Sequence, residues 1–95
     1  MKLYPIVTGR VVRSLAGRDQ GRLFVVIQEI DDDFVYVANG KLRTMDRLKK
    51  KRRKHLKPTG TIVEDIRNRV QNDGKIEDHE IRSWLKKEEE KLVQV

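Results

Sequence analysis

The chain has 95 residues, of which 37% are hydrophobic and 39% are charged, and its formal net charge is +7. A chain of this length folds as one small domain with a modest core, which excludes a large buried active site. The sequence contains no cysteine, so disulfide scaffolds, cysteine zinc sites and thiol nucleophiles are excluded.

The first half of the chain has the composition of β structure. Residues 7–12, 23–30 and 34–38 are rich in β-branched and aromatic side chains, and turn residues bound each run. Three adjacent aspartates at 31–33 predict a tight turn between the second and third strands. Asn39-Gly40 suits a type I′ hairpin because both residues tolerate positive φ, and it predicts a fourth strand at 41–45.

The second apolar run favours a closed barrel over an open sheet. Every residue of the run at 23–27 is apolar, so both faces of this strand would be apolar. A strand that coils through a small barrel can bury both of its faces. Residues 14–22, which we term the glycine loop, contain Gly17 and Gly21, and these allow backbone angles closed to other residues. We expect an ordered loop there.

From Thr61 the apolar spacing changes to that of a helix. Thr61 and Glu64 form a capping-box pattern, and Asn72-Asp73-Gly74 predicts the end of this first helix. The apolar face is expected to comprise Ile62, Val63, Ile66 and Val70.

A second helix is predicted by Ile76 and Ile81, which are spaced as a hydrophobic staple around Glu77. Its apolar stripe is expected to continue through Trp84, Leu85 and Leu92. The predicted fold is therefore mainly β with a helical tail, divided into a barrel at residues 1–60 and a two-helix hairpin at 61–95. A hairpin of about 35 residues is too short to fold alone, so we expect it to pack on the barrel.

The excess positive charge is concentrated in one stretch. Residues 41–57 contain ten Lys or Arg and one Asp, and eight of the nine residues at 49–57 are basic when His55 is counted. We term residues 47–57 the basic segment. Such density is self-repelling unless anions lie close, so the segment is expected to be exposed and to bind a polyanion.

Two other interpretations of the basic segment are a solubilising charged loop and a site for anionic lipid. Ordinary charged surfaces intersperse both signs, whereas residues 49–57 contain no acid. Stable lipid binding needs an adjacent amphipathic or acylated element, and Met45, Leu48 and Leu56 are too sparse for one. The chain also lacks an apolar run long enough for a secretory signal or a membrane span. We therefore expect a cytoplasmic protein without a membrane partner.

Residues 9–12 and 16–26 resemble the KOW motif, in which a strand, a glycine-bearing basic loop and a second strand alternate polar and apolar residues. The likeness is to KOW-domain RNA-binding proteins related to an archaeal and eukaryotic large-subunit ribosomal protein, with small bacterial versions. In those proteins too, a hairpin like residues 37–43 leads into a lysine-rich run. The resemblance implies an SH3-like barrel, with the basic segment leaving it as an arm, that binds structured RNA, typically ribosomal RNA.

The resemblance also implies which residues bind RNA and which shape the loop. Gly17, Asp19 and Gly21 are expected to have structural roles in the glycine loop. The expected RNA-binding residues are Arg18, Arg22, Lys41, Arg43, Lys49, Lys50, Lys51, Arg52, Arg53, Lys54, His55 and Lys57. The few aromatic residues favour recognition of the sugar-phosphate backbone and the shape of folded RNA over base reading.

No combination of residues predicts catalysis, a metal site or a cofactor. His55 lies among cations, His79 lies in the first turn of a predicted helix, and the aspartates at 31–33 lack the spacing of a calcium loop. We expect a non-enzymatic RNA-binding protein associated with the ribosome or its RNA. The alternative is a protein-interaction module that docks on RNA polymerase or a translation factor, with a partner at the C-terminal helices near Trp84. The oligomeric state is left open.

Overall fold

The computed structural model describes residues 4–93, with side chains for residues 4–91. The predicted apolar position at Leu92 therefore lies outside the described side chains. It contains five strands and two helices, joined by short turns. The elements are β1 (Arg10–Ser14), β2 (Leu23–Glu29), β3 (Phe34–Ala38), β4 (Lys49–Arg52), β5 (Leu56–Ile62), α1 (Glu64–Gln71) and α2 (Asp78–Val93). Single 3-10 turns lie at Gly17–Asp19 and Arg53–His55.

The strands form one antiparallel sheet in the order β4-β3-β2-β1-β5. The prediction of a mainly β fold with a helical tail is confirmed. Strands β4 and β5 are the two ends of the sheet order although only Arg53–His55 separates them in the chain. Closure of the sheet into an SH3-like barrel stays a prediction.

Strand β2 is buried on both of its faces from Leu23 to Ile27, as its composition predicted. Successive side chains of a strand point to opposite faces, so β2 contributes to two cores. The helix-side core contains Val11, Leu23, Val25, Ile27 and Ala38 of the sheet with Val63, Ile66, Ile76, Ile81 and Leu85. The second core contains Val12, Phe24, Val26, Val35, Val37 and Leu56. Packing of the helices on one face of the sheet therefore accounts for part of the double burial.

The first helix begins later than its capping-box pattern predicted. Strand β5 continues to Ile62, and Thr61 Oγ1 donates a hydrogen bond to Glu88 Oε2 of α2 at 2.8 Å. The predicted cap at Thr61 is therefore wrong, because the sheet takes up this residue. The predicted end is confirmed, since α1 ends at Gln71 and Gly74 N donates to Arg69 O at 2.6 Å.

The second helix begins as its staple predicted. Ile76 and Ile81 are both buried in the helix-side core, and Glu80 Oε1 accepts a hydrogen bond from Glu77 N at 3.2 Å. Arg69 of α1 lies 2.6 Å from Glu80 of α2, which ties the two helices together. This hydrogen bond from the Arg69 guanidinium holds the pKa of Glu80 below its usual value.

The turn after β3 differs from the predicted hairpin. Asn39 Oδ1 accepts hydrogen bonds from Lys41 N and Arg43 N, each at 3.0 Å. Gly40 has a φ of +76°, but Asp73 is the one non-glycine residue with positive φ in the described chain, so Asn39 does not form a type I′ turn. The predicted strand at 41–45 is wrong, because these residues form a turn that docks on α2.

Two hydrogen bonds and a close approach of the backbones fix that turn to the start of α2. Arg82 Nη1 donates to Gly40 O at 2.6 Å, and Met45 N donates to Asp78 Oδ1 at 2.8 Å. A Cβ atom placed on Gly40 would lie 2.6 Å from Asp78 O, so glycine is required for this close approach. The helices therefore hold the segment that leads into β4.

The predicted aspartate turn is confirmed, since Asp31 Oδ1 accepts hydrogen bonds from Asp33 N and Phe34 N, each at 2.8 Å.

Strand β5 passes residue 60, and the division of the chain into two units at that point stays a prediction. Neither helix of residues 4–93 is both long and apolar enough to cross a membrane.

Candidate nucleic-acid interface

The basic segment is built into the sheet, and the prediction that it leaves the barrel as an arm is wrong. Its first part forms edge strand β4, in which Val35 lies opposite Lys51 and Val37 lies opposite Lys49. Both valines are buried in the second core, so Lys49 and Lys51 point to that side. Lys50 and Arg52 point to the other side and are exposed. The pleat of the strand thus divides the cations into two sets.

Lys51 is a buried cation that belongs to the fold. Its side chain is 8% exposed, and Nζ donates to Ser14 Oγ at 2.7 Å and lies 5.6 Å from the centroid of the Phe24 ring. Burial, helped by the nearby charge of Lys49, lowers the pKa of Lys51. The prediction that the basic segment is exposed throughout is wrong at Lys51. The hydroxyl of Ser14 and the carboxylate of Asp19 compensate the buried ammonium.

Asp19 joins the glycine loop to β4. Its Oδ2 atom lies 2.6 Å from Nζ of Lys49 and 3.7 Å from Nζ of Lys51, and its side chain is 12% exposed. The hydrogen bond from Lys49 lowers the pKa of Asp19, and the charges of Lys51 and Arg22 lower it further. The carboxylate is therefore ionised and occupied by the protein's own cations.

The glycine loop is ordered by its own backbone. Gly17 and Gly21 have φ angles of +76° and +86°, and Gly21 N donates to Ser14 O at 2.8 Å. Leu15 N donates to His55 O at 2.8 Å, which joins the loop to the 3-10 turn Arg53–His55. The loop thus contacts the basic segment at three points, Ser14, Leu15 and Asp19.

The outward residues of β4 lie over an aromatic ring. Lys50 Nζ is 4.4 Å and Arg52 Cζ is 5.1 Å from the centroid of Phe34, which is half-buried on the neighbouring strand. Neither cation forms an ion pair within the part of the chain that the structure describes. The ring orients both side chains and leaves their charge uncompensated.

Arg53 is held by the protein itself. Its guanidinium donates to Ile6 O at 2.6 Å and to Asp31 O at 3.0 Å, and it lies 3.0 Å from Glu29 Oε1. Glu29 ends β2, Asp31 belongs to the turn that follows, and Ile6 precedes β1. Arg53 therefore anchors the turn between β4 and β5 to these segments.

The remaining predicted RNA-binding residues divide by exposure. Arg43 and His55 are half-buried, whereas Lys41 is exposed. Six further exposed cations make no ion pair within the described chain, and we term them the exposed cation set. Its members are Arg18, Arg22, Lys50, Arg52, Lys54 and Lys57. Asp19 and Leu15 hold together the two segments that carry this set.

Three further cations near the glycine loop were not among the predicted RNA-binding residues, namely Arg13, Arg82 and Lys86. Arg13 donates to Gly21 O and lies 3.9 Å from Glu89 of α2, which places the helix beside the glycine loop. Arg82 and Lys86 are four residues apart on α2 and so share a helix face. The spacing of Arg82 and Lys86 could have indicated a shared basic face on α2. It could not have indicated that this helix lies beside the glycine loop.

The predicted partner surface at Trp84 is partly internal. Trp84 is half-buried and packs against the helix-side core, with Arg69 Cζ 5.9 Å from its ring centroid. A protein partner at the C-terminal helices stays a prediction.

Comparison with known proteins relates part of the chain to a ribosomal protein. The large ribosomal subunit protein eL14 of Desulfurococcus amylolyticus is 41% identical over 58 residues, which is 61% of this chain. The matched region spans 60% of the length of that relative. No protein-family model matches the chain. The similarity supports a ribosomal-protein-like relationship over about three fifths of each sequence.

Proposed function

We propose that this protein is a non-enzymatic RNA-binding protein that associates with the ribosome or ribosomal RNA in the cytoplasm. We further propose that its sheet closes into an SH3-like barrel of the KOW type. The observation that carries the proposal is the exposed cation set, six uncompensated cations on two segments that Asp19 holds together. Uncompensated cations at fixed positions gain binding free energy by releasing counterions from a polyanion.

RNA is favoured over other polyanions by the similarity to eL14, whose name places that relative in the large ribosomal subunit. The residues available for base stacking are few. Phe24 is buried, and Phe34 is occupied by Lys50 and Arg52. This scarcity favours contacts to phosphates and to RNA shape over reading of individual bases.

We assign different tasks to the predicted RNA-binding residues. The exposed cation set would contact phosphates, with the guanidinium groups of Arg18, Arg22 and Arg52 suited to two hydrogen bonds each. Lys49, Lys51 and Arg53 are committed to internal partners and would keep the surface in place. Lys41, Arg43 and His55 would flank it.

The salt dependence of RNA affinity tests this proposal. Six phosphate contacts predict a slope of log affinity against log salt of about −4 to −5. A triple variant, Lys50→Glu with Arg52→Glu and Lys54→Glu, should weaken binding strongly and flatten the slope. The matched control, Lys75→Glu with Lys87→Glu and Lys91→Glu, carries the same change in net charge at exposed helix-side positions. Equal losses in both triple variants would reject a localised interface.

The ribosomal part of the proposal has its own test. The protein should co-sediment with large ribosomal subunits or free ribosomal RNA at low salt, and the triple variant in β4 and its following turn should stay at the top of the gradient. Recovery of the protein on messenger RNA or small RNA alone would reject the ribosomal assignment and leave RNA binding intact.

The alternative of a module that docks on RNA polymerase or a translation factor gains no support from the eL14 similarity. Its predicted docking residue, Trp84, packs against the helix-side core.

A further inference from the structure

An open groove of about 760 Å³ lies between α2 and the turn regions at the start of β2 and the end of β3. Its lining carries four cations and one acid. The cations are Arg22, Lys41, Arg82 and Lys86. The acid, Glu89, lies 3.9 Å from Arg13, so its charge is partly compensated. The groove is therefore strongly positive.

The cations come from both sides of the groove. Arg22 belongs to the glycine loop and Lys41 to the turn after β3, whereas Arg82 and Lys86 belong to α2. The hydrogen bond from Arg82 to Gly40 O fixes the spacing between the two sides. Lys41 and Lys86 are exposed and form no ion pair within the residues that the structure describes.

The remaining lining is suited to the non-charged parts of a nucleotide. Leu23 and Leu85 form an apolar floor, and both are more than nine-tenths buried. Asn39 also lines the groove, and its Oδ1 atom is occupied by two backbone donors. This fixes the orientation of the amide and leaves its NH₂ group as a donor for an acceptor oxygen.

We propose that this groove binds the sugar-phosphate backbone of a single-stranded RNA segment, with Lys86 and Lys41 as phosphate contacts. The proposal rests on the proposed function, because Arg22 belongs both to the groove and to the exposed cation set. A groove with cations on both sides is suited to follow the backbone of one strand. The groove lining contains no aromatic side chain among the residues that the structure describes. Phosphate contacts would therefore carry the affinity in place of base stacking, and we expect little dependence on base sequence.

The experiment compares two fluorescein-labelled RNA probes by fluorescence anisotropy with the full chain. One probe is a stem-loop with a single-stranded 3′ extension, and the other is the same stem-loop with a blunt end. The wild-type protein should bind the extended probe more tightly. Lys86→Glu should weaken binding of the extended probe about fivefold to tenfold and leave the blunt probe nearly unchanged.

Lys87→Glu is the matched control. Lys87 is the next residue on α2, is also exposed, and lines a different depression with Trp84 and Glu88. It makes the same change in net charge outside the groove, so its effect should be less than about twofold. As a second measurement, Lys86→Gln should reduce the salt slope for the extended probe by about 0.7.

The outcomes separate this proposal from the proposed function. If the extension adds no affinity, or if Lys86→Glu and Lys87→Glu act alike, the groove proposal is rejected. RNA binding then stands if the triple variant of Lys50, Arg52 and Lys54 weakens both probes. If the wild-type protein binds neither probe, both proposals are rejected. Circular dichroism of each variant checks that its fold is unchanged.

Discussion

Oδ2 of Asp19 in the glycine loop lies 2.6 Å from Nζ of Lys49 on edge strand β4. This contact joins two segments that are thirty residues apart in the chain. Because Lys51 approaches the same carboxylate, a single acid holds two cations of the basic segment in place. The exposed cations of the loop and of the segment thereby become parts of one rigid arrangement.

Replacement of Asp19 should loosen that arrangement. Asp19→Asn removes the charged acceptor of Lys49 and leaves two lysines facing each other, so we expect the free energy of unfolding to fall by about 1.5 to 3 kcal/mol. Urea denaturation measures this change. RNA affinity of the folded variant should change little, because Ser14 and Leu15 still join the loop to the basic segment and one acid has been removed. A loss of affinity without a loss of stability would mean that Asp19 contacts RNA.

The pH dependence of stability should depend on Asp19. Its pKa in the folded protein is below the unfolded value of about 3.9, so ionised Asp19 stabilises the fold fully above that value. The stabilisation is lost as pH falls through the lower, folded pKa. The gap between the urea midpoints of wild type and Asp19→Asn should therefore be constant near neutral pH and shrink below about pH 4. A gap that does not change between pH 7 and pH 3 would contradict this.

The neighbouring lysines of β4 should have opposite phenotypes. Lys51→Ala removes a buried side chain that donates to Ser14, and it should cost about 2 to 4 kcal/mol of stability. Lys50→Ala removes an exposed cation and should cost less than about 1 kcal/mol, while lowering RNA affinity about threefold or more at low salt. Thermal unfolding and RNA titration of both variants test this pair. Equal effects on RNA affinity would contradict the division of the strand into two sets.

Alanine variants of two glycines with the same φ distinguish the cost of backbone strain from the cost of a steric clash. Gly17 and Gly40 both have a φ of +76°, but no heavy atom lies within 4 Å of a Cβ on Gly17. Gly17→Ala should therefore cost about 1 to 2 kcal/mol from the backbone alone. Gly40→Ala should cost a further 1 to 3 kcal/mol, because its Cβ meets Asp78 O at 2.6 Å and Arg82 Cγ at 2.8 Å. Urea midpoints of the two variants measure the difference.

Three local signals were predicted correctly because their causes lie within a few residues. The Asp31 turn, the end of α1 and the staple of Ile76 and Ile81 follow from hydrogen bonds or contacts of short sequence separation. The Asn39-Gly40 signal failed because the side chain of Asn39 accepts two backbone hydrogen bonds and the turn docks on α2. Thr61 shows where such signals fail. The sequence predicted that its hydroxyl would cap the start of α1. In the structure β5 extends to Ile62, and the hydroxyl donates to Glu88 of α2.

The basic segment was difficult to predict because its composition argues against a strand. Lysine is depleted in strands generally, yet it is common on edge strands, where charge prevents pairing with other chains. Lys51 and Lys50 point to opposite sides because they pair with Val35 and Tyr36 of β3. A run of consecutive cations has no apolar–polar alternation from which this pairing could be predicted. The groove beside α2 depends on docking between Gly40 and Arg82, which the sequence does not encode locally.

Crosslinking in living cells, followed by identification of the attached RNA and of the modified peptides, tests the central claim most directly. We predict that ribosomal RNA is enriched and that the adducts lie in the glycine loop and in residues 50–57. The triple variant at Lys50, Arg52 and Lys54 should lose most of this signal. Recovery of no more RNA with the wild-type protein than with that variant would contradict the proposed interface.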